Sequence, residues 1–124
     1  MTSKSPTIKL VRAYELTEND TGYRVLVDRM WPRGVKKEDL QLDAWLKELA
    51  PSATLRTWFN HRAERWSEFR ERYHTELKAK ADDIEQLLSA AGRKQIVLIY
   101  AAKDIEHNNA VALRDFLKQS GFAA

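Results

Sequence analysis

Apolar positions along this chain follow two periods. Three short runs are strand-like. Residues 7–14, TIKLVRAY, set Ile8, Leu10 and Arg12 against Lys9 and Val11, an alternation that predicts a strand. Residues 23–28, YRVLVD, are apolar apart from Arg24 and the closing Asp28, and residues 95–102, QIVLIYAA, are apolar on both faces. Continuous runs of this length suit strands covered on both sides, as in a parallel sheet.

The other segments repeat every three or four residues. In residues 42–49, LDAWLKEL, Leu42, Trp45, Leu46 and Leu49 have helical spacing, with Asp43 near the start and Pro51 beyond the end. Ser52 is placed to cap a second short helix that carries Leu55, Trp58 and Phe59. The longest pattern covers residues 63–88. Trp66, Phe69, Tyr73, Leu77, Ala81, Ile84 and Leu88 form one stripe on a charged cylinder. Glu68–Arg72 and Glu76–Lys80 are oriented to pair at i,i+4 spacing, and Gly92 is the terminator. A last helix turns Ala110, Leu113, Phe116 and Leu117 inward and ends at Gly121.

Strands buried on both faces and interleaved with amphipathic helices predict an α/β fold. The expected form is a three-layer sandwich with a small, mainly parallel β-sheet and amphipathic helices on both faces. No repeat, low-complexity tract or linker divides residues 1–124, so they read as a single domain, with 1–6 as a flexible tail. The segment between the first two strands is short for a parallel crossover, which leaves the direction of the first strand open.

Composition removes several function classes. Cysteine is absent, which excludes disulfides, thiol nucleophiles and cysteine metal sites. The balance of 21 basic against 18 acidic residues, a net charge of +3, is too even to indicate nucleic-acid binding by itself. No apolar run is long enough to cross a bilayer, and MTSKSPTIKL lacks the apolar core of a signal peptide. A cytoplasmic protein with no membrane partner is expected. His61, His74 and His107 have no ligand spacing, so no metal and no cofactor are expected.

Candidate chemistry gathers where the strands end. In open α/β sheets ligands bind beyond the carboxyl ends of the strands. The second run ends in DRMWPRG, contributing Asp28, Arg29, Trp31 and Arg33. The third is followed by KDIEHNN, contributing Lys103, Asp104, His107, Asn108 and Asn109. Cationic side chains beside a helix start favour a phosphate or carboxylate. On this reading Arg29, Arg33 and Lys103 hold an anion, Trp31 covers it, and Asp104, Asn108 and Asn109 contact it. Asp28 and His107 are the candidate acid–base residues.

Each residue also has a structural reading. Arg29 and Arg33 suit bridges to acidic groups. Asp28 can hold a turn, and Asp104 can cap the last helix. Asn108 and Asn109 serve equally as caps or ligand contacts, and Trp31 as a plug over the core. Trp45, Trp58, Trp66 and Phe59 have the spacing of packed helices. His61 and Arg62 reach a pocket only if their turn folds over the sheet edge.

The motifs VDRxWPRG, APSxxLRxWFxH and YAAKDxEHN, in this order, resemble the YeaO-like family of small bacterial proteins, domain-of-unknown-function family 488. The resemblance runs from residue 8 to about residue 117, with Met30 standing where the family commonly has leucine. It implies an α/β fold in which an aspartate–arginine strand end meets a polar segment opening the last helix. It carries over no catalytic residue.

Three functions compete. One is binding or transformation of a small anionic ligand at the strand ends, with enzymatic activity left open. Another is a non-catalytic interaction domain, docking a partner or a second copy through an exposed patch of Trp58, Phe59 or Trp66. The weakest is a nucleic-acid-associated regulator, because the long helix carries mixed charge rather than a basic stripe.

Overall fold

A computed structural model describes residues 6–123. The tail expected over residues 1–6 lies, except for Pro6, outside the described residues. Four strands form one parallel sheet: β1 (Ile8–Arg12), β2 (Tyr23–Leu26), β3 (Ala44–Trp45) and β4 (Ile96–Tyr100), in the order β1-β4-β2-β3. Leu98 at the middle of β4 lies beside Leu10 on one flank and Val25 on the other. All five residues of β4 are buried, as its unbroken apolar run requires. The open question about β1 is answered by this order. Both β1 and β2 are parallel to β4, which lies between them, and residues 13–22 return across one face of β4.

The helices are α1 (Lys37–Leu40), α2 (Ala53–Phe59), α3 (Trp66–Lys78), α4 (Ala81–Ala91) and α5 (Asn109–Gln119). They give the expected α/β fold. α2 through α5 pack on the sheet face carrying Val25, Val27, Ile96, Leu98 and Tyr100. The opposite face carries Leu26, Val97 and Ile99 and is thinner. It is covered by Leu40 of α1, by Ala13 and Leu16 from the returning chain, and by Trp31, Val35, Leu42 and Trp45.

Two predicted helices are corrected. Residues 42–49 form β3 followed by a 3-10 turn, Lys47–Leu49. The chain is drawn out as a strand by its neighbour. Asp43 N–H donates to Arg24 O (2.9 Å), the Asp43 carboxylate accepts from Arg24 N–H (2.8 Å), and Leu46 N–H donates to Leu26 O (2.9 Å). Sheet pairing thus overrides a helical spacing of only two turns.

The long stripe is broken into α3 and α4 at Ala79 and Lys80. Beyond the break the innermost residues are Ile84, Leu87 and Ala91, while Ala81 is exposed. Glu68 and Arg72 pair as expected, but Glu76 and Lys80 do not pair with each other. The Glu76 carboxylate instead accepts from Ser52 N–H (2.9 Å) and Ser52 Oγ–H (2.6 Å), tying α3 to the start of α2. Lys80 Nζ donates to Glu48 O. Ser52 Oγ also accepts from Leu55 N–H (3.2 Å), the predicted cap.

Tyr73 is fully buried on α3, and its hydroxyl donates to Leu49 O. Burial pushes its pKa strongly upward, so the phenol stays protonated. Tyr73→Phe is expected to lower stability by about 1–2 kcal/mol, because a buried carbonyl loses its donor. Urea unfolding reads this directly; an unchanged midpoint would mean that the carbonyl is satisfied in another way.

Candidate functional site

β2 and β4 are neighbours whose outgoing chains part. The segment after β2 covers the thin face through Trp31, Val35 and Leu40, whereas β4 leads into α5 on the other face. Such a switch point leaves a crevice beyond the strand ends. A cavity of about 460 Å³ lies there. It is lined from β2 by Asp28, Arg29 and Met30, from α2 and its following turn by Arg56, Thr57, Phe59, Asn60 and His61, and from the β4–α5 segment by Ala101, Ala102, His107, Asn108 and Asn109, with Pro51 and Phe69 completing it.

Asp28 is the knot of this junction. One carboxylate oxygen accepts from Ala101 N–H (2.9 Å), and the other from the Asn109 side-chain amide (3.0 Å). Asn109 Nδ2 also donates to Val27 O (3.0 Å), and the Asp28 carbonyl accepts from the Trp45 indole (2.7 Å). One residue therefore joins the ends of β2 and β4, the start of α5, and β3. Burial raises its carboxyl pKa. The hydrogen bonds from Asn109 and Ala101, together with the nearby positive charge of Arg56 and His61, offset that rise only in part.

Arg29 and Arg56 are in the opposite condition. The Nε of each is shielded from solvent and has no hydrogen-bond partner among the described residues. Neither forms an ion pair with a described carboxylate. The structural reading, in which Arg29 and Arg33 are satisfied by Asp28 and Asp104, is therefore not met. Asp28 is engaged by Ala101 and Asn109. The Asp104 carboxylate accepts from Glu106 N–H (2.9 Å) and His107 N–H (3.0 Å), and lies 2.9 Å from His107 Nδ1. Those contacts hold the Asp104 pKa below its ordinary value, the Glu106 amide most of all. They also lock the His107 ring, which stands edge-on to Trp66 with centroids 5.3 Å apart.

His61 reaches the cavity because the chain after α2 folds back. Asn60 and His61 are consecutive left-handed residues (φ 46° and 54°), and Asn60 N–H closes the helix on Arg56 O (3.0 Å). Asn tolerates this conformation better than most residues. Arg62, the other residue of that turn, does not line the cavity.

Of the residues picked out from sequence, Asp28, Arg29, His107, Asn108 and Asn109 line the cavity. Four others do not. Trp31 belongs to the thin face, where its indole donates to Val35 O (2.6 Å) and its ring meets Trp45 edge-on. It is a plug over the core, not a lid. Arg33 is exposed and only its carbonyl is engaged, by the Tyr14 hydroxyl (3.0 Å). Lys103 and Asp104 are exposed on the approach to α5. Asp104 is not the α5 cap; that is Asn108, whose side-chain oxygen accepts from Val111 N–H (3.0 Å).

Asn108 Nδ2 donates to Asp104 O (2.8 Å), so both ends of this amide are committed. Asn108 and Asn109 thus line the cavity as scaffold, Asn109 with both amide N–H groups engaged and Asn108 with one. The residue that sequence reasoning passed over is Arg56. It stands three and four positions before Phe59 and Asn60, hence on their side of α2, but the apolar pattern drew attention to Leu55 and Trp58.

No group of three or more His, Asp or Glu residues able to hold a metal ion occurs among the described residues. None of their helices is long and apolar enough to cross a membrane.

Comparison with known proteins settles the family. The family model DUF488-N3i, described as the inactive DUF488-N3 subclade, matches residues 7–122. The chain belongs to the DUF488 family. The Escherichia coli relative, Uncharacterized protein YeaO, is 41% identical over 111 residues, covering 90% of this chain and 96% of its own. Uncharacterized protein Mb3100c of Mycobacterium bovis is 37% identical over 110 residues, covering 89% of this chain and 92% of its own. No solved structure matches significantly. In this DUF488 member the three sequence motifs converge on one place. VDRMWPRG, APSATLRTWFNH and YAAKDIEHN supply nearly all the cavity lining.

Proposed function

We propose that this DUF488 protein binds a small anionic ligand in the cavity at the ends of β2 and β4, and binds it without transforming it. The observation that carries the reading is the pair Arg29 and Arg56. Two arginines line one cavity, and each has a buried Nε that lacks a hydrogen-bond partner among the described residues. A buried polar group without a partner costs about 1–3 kcal/mol. A carboxylate or phosphate pairs with a guanidinium fork through parallel hydrogen bonds, the partner that these two arginines lack among the described carboxylates.

Binding rather than catalysis accords with the description of the subclade as inactive. Asp28 and Asn109 then set the shape of the junction, and His107, fixed by Asp104, gives the wall a polar group of defined orientation. The aromatic rings argue against the docking alternative. Phe59 is buried and stacks on Phe69 with centroids 4.3 Å apart. Trp66 packs on Phe59, Phe69 and His107, and Trp58 is flanked by the guanidinium groups of Arg65 and Arg72.

A thermal-shift screen with sodium salts of carboxylates and phosphates tests the proposal. An anion at one hundred times its Kd should stabilise the protein by about 2.7 kcal/mol. Arg56→Ala should weaken that anion by about 10- to 100-fold, as expected for a charged hydrogen bond, while stability without ligand changes by less than about 1 kcal/mol. Equal shifts for both proteins would remove the reading.

A further inference from the structure

We infer that the ligand of this cavity is a monoanionic carboxylate with an apolar body, such as an aromatic or branched carboxylic acid. The inference rests on the anion reading above and sharpens it in two respects.

The first is charge. Two arginines, Arg29 and Arg56, share the cavity lining with one aspartate, Asp28. The two arginines and Asp28 together carry a single net positive charge. One carboxylate balances it. A phosphate dianion leaves an excess negative charge close to half-buried Asp28, whose pKa desolvation already raises, and like charges in a poorly solvated site are costly. A carboxylate also fits one guanidinium fork in the plane.

The second is the wall. Phe59 and Phe69 line the cavity as a stacked pair, almost wholly removed from water (6% and 2% exposed). At the same cavity Met30 is 68% exposed. A flexible thioether side chain left open at a cavity suits it to close over an apolar ligand. Inorganic phosphate or acetate would leave the open Met30 side chain without an apolar partner. Small-molecule sites typically combine such an apolar lining with a few placed polar groups.

Titration calorimetry at pH 8 and low salt, with a matched ligand series, decides the matter. Benzoate and phenylacetate are expected to bind at least tenfold more tightly than acetate, inorganic phosphate or phenyl phosphate, and more tightly than benzyl alcohol. Met30→Ser should weaken benzoate several-fold and leave acetate unchanged. Tighter binding of phenyl phosphate or phosphate than of benzoate would overturn the carboxylate inference while keeping an anion site. Equal binding of benzyl alcohol and benzoate, or of acetate and benzoate, would overturn one half of it. If no anion in the series binds, the anion reading itself falls.

Discussion

Asp28→Ala is expected to lower stability by about 2–3 kcal/mol and to remove a pH dependence that the natural chain shows. Two part-buried donors, Ala101 N–H and the Asn109 amide, lose their acceptors together. Each unsatisfied donor costs about 1–3 kcal/mol. Part of that is returned, because the substitution also removes a carboxylate whose charge is disfavoured by burial. Asp28→Asn keeps one acceptor and no charge, so its loss should be less than half as large.

The pH dependence follows from linkage. Burial raises the Asp28 pKa above its ordinary value of 3.8. Between that value and the raised one, the folded chain keeps a proton that the unfolded chain has released. Stability therefore falls as pH rises through this window, and the contribution is level above it. Urea unfolding from pH 3.5 upward, comparing the natural chain with Asp28→Ala, should show the difference between them shrinking with pH. A difference that grows with pH would mean that the carboxylate is stabilised in place, and would contradict the account of Asp28 as a desolvated knot.

Gly22→Ala should cost about 3 kcal/mol or more, the largest single-methyl effect expected here. Gly22 has φ +140°, a conformation that L side chains rarely adopt, and a Cβ there would stand 2.3 Å from Gln95 O. That same carbonyl accepts from Tyr23 N–H (2.7 Å), the bond that starts the β2–β4 pairing. Relief of the clash must therefore move the ladder itself. Gly34 provides the control. It also has positive φ (+77°), but nothing lies within 4 Å of its missing Cβ, so Gly34→Ala bears only a backbone cost of about 1–2 kcal/mol. Thermal melts of the two variants should differ by several degrees; equal melting would show that the approach to Gln95 relaxes freely.

Asp28 and Gly22 also show how differently the two levels of description speak. That a strand ends at Asp28 is visible in YRVLVD, because an apolar run stops where a charged group begins. The meeting of that strand end with the segment opening α5 was expected from the rule that ligands sit beyond strand ends. Which side chains face the meeting point was not legible. Trp31 and Arg33 follow Asp28 by three and five positions, yet the chain carries them to the thin face and to solvent. Arg56 stands in a helix whose apolar spacing concealed its polar face, and it enters the cavity because α2 is held against α3 by Ser52 and Glu76.

The sequence by itself determined the α/β class, a strand apolar on both faces within residues 95–102, the Ser52 cap and the family. These depend on periodicity, turn chemistry and linear motifs, which near neighbours encode. Only the tertiary structure decided the strand order, the conversion of residues 42–49 to β3, the break between α3 and α4, and the membership of the cavity. Each of those turns on contacts between distant residues: Arg24 with Asp43, Lys80 with Glu48, Asp28 with Ala101 and Asn109. A hydrogen bond or a buried face gained across such distances outweighs local propensities worth well under 1 kcal/mol per residue, and it leaves little trace in the spacing of the residues that make it.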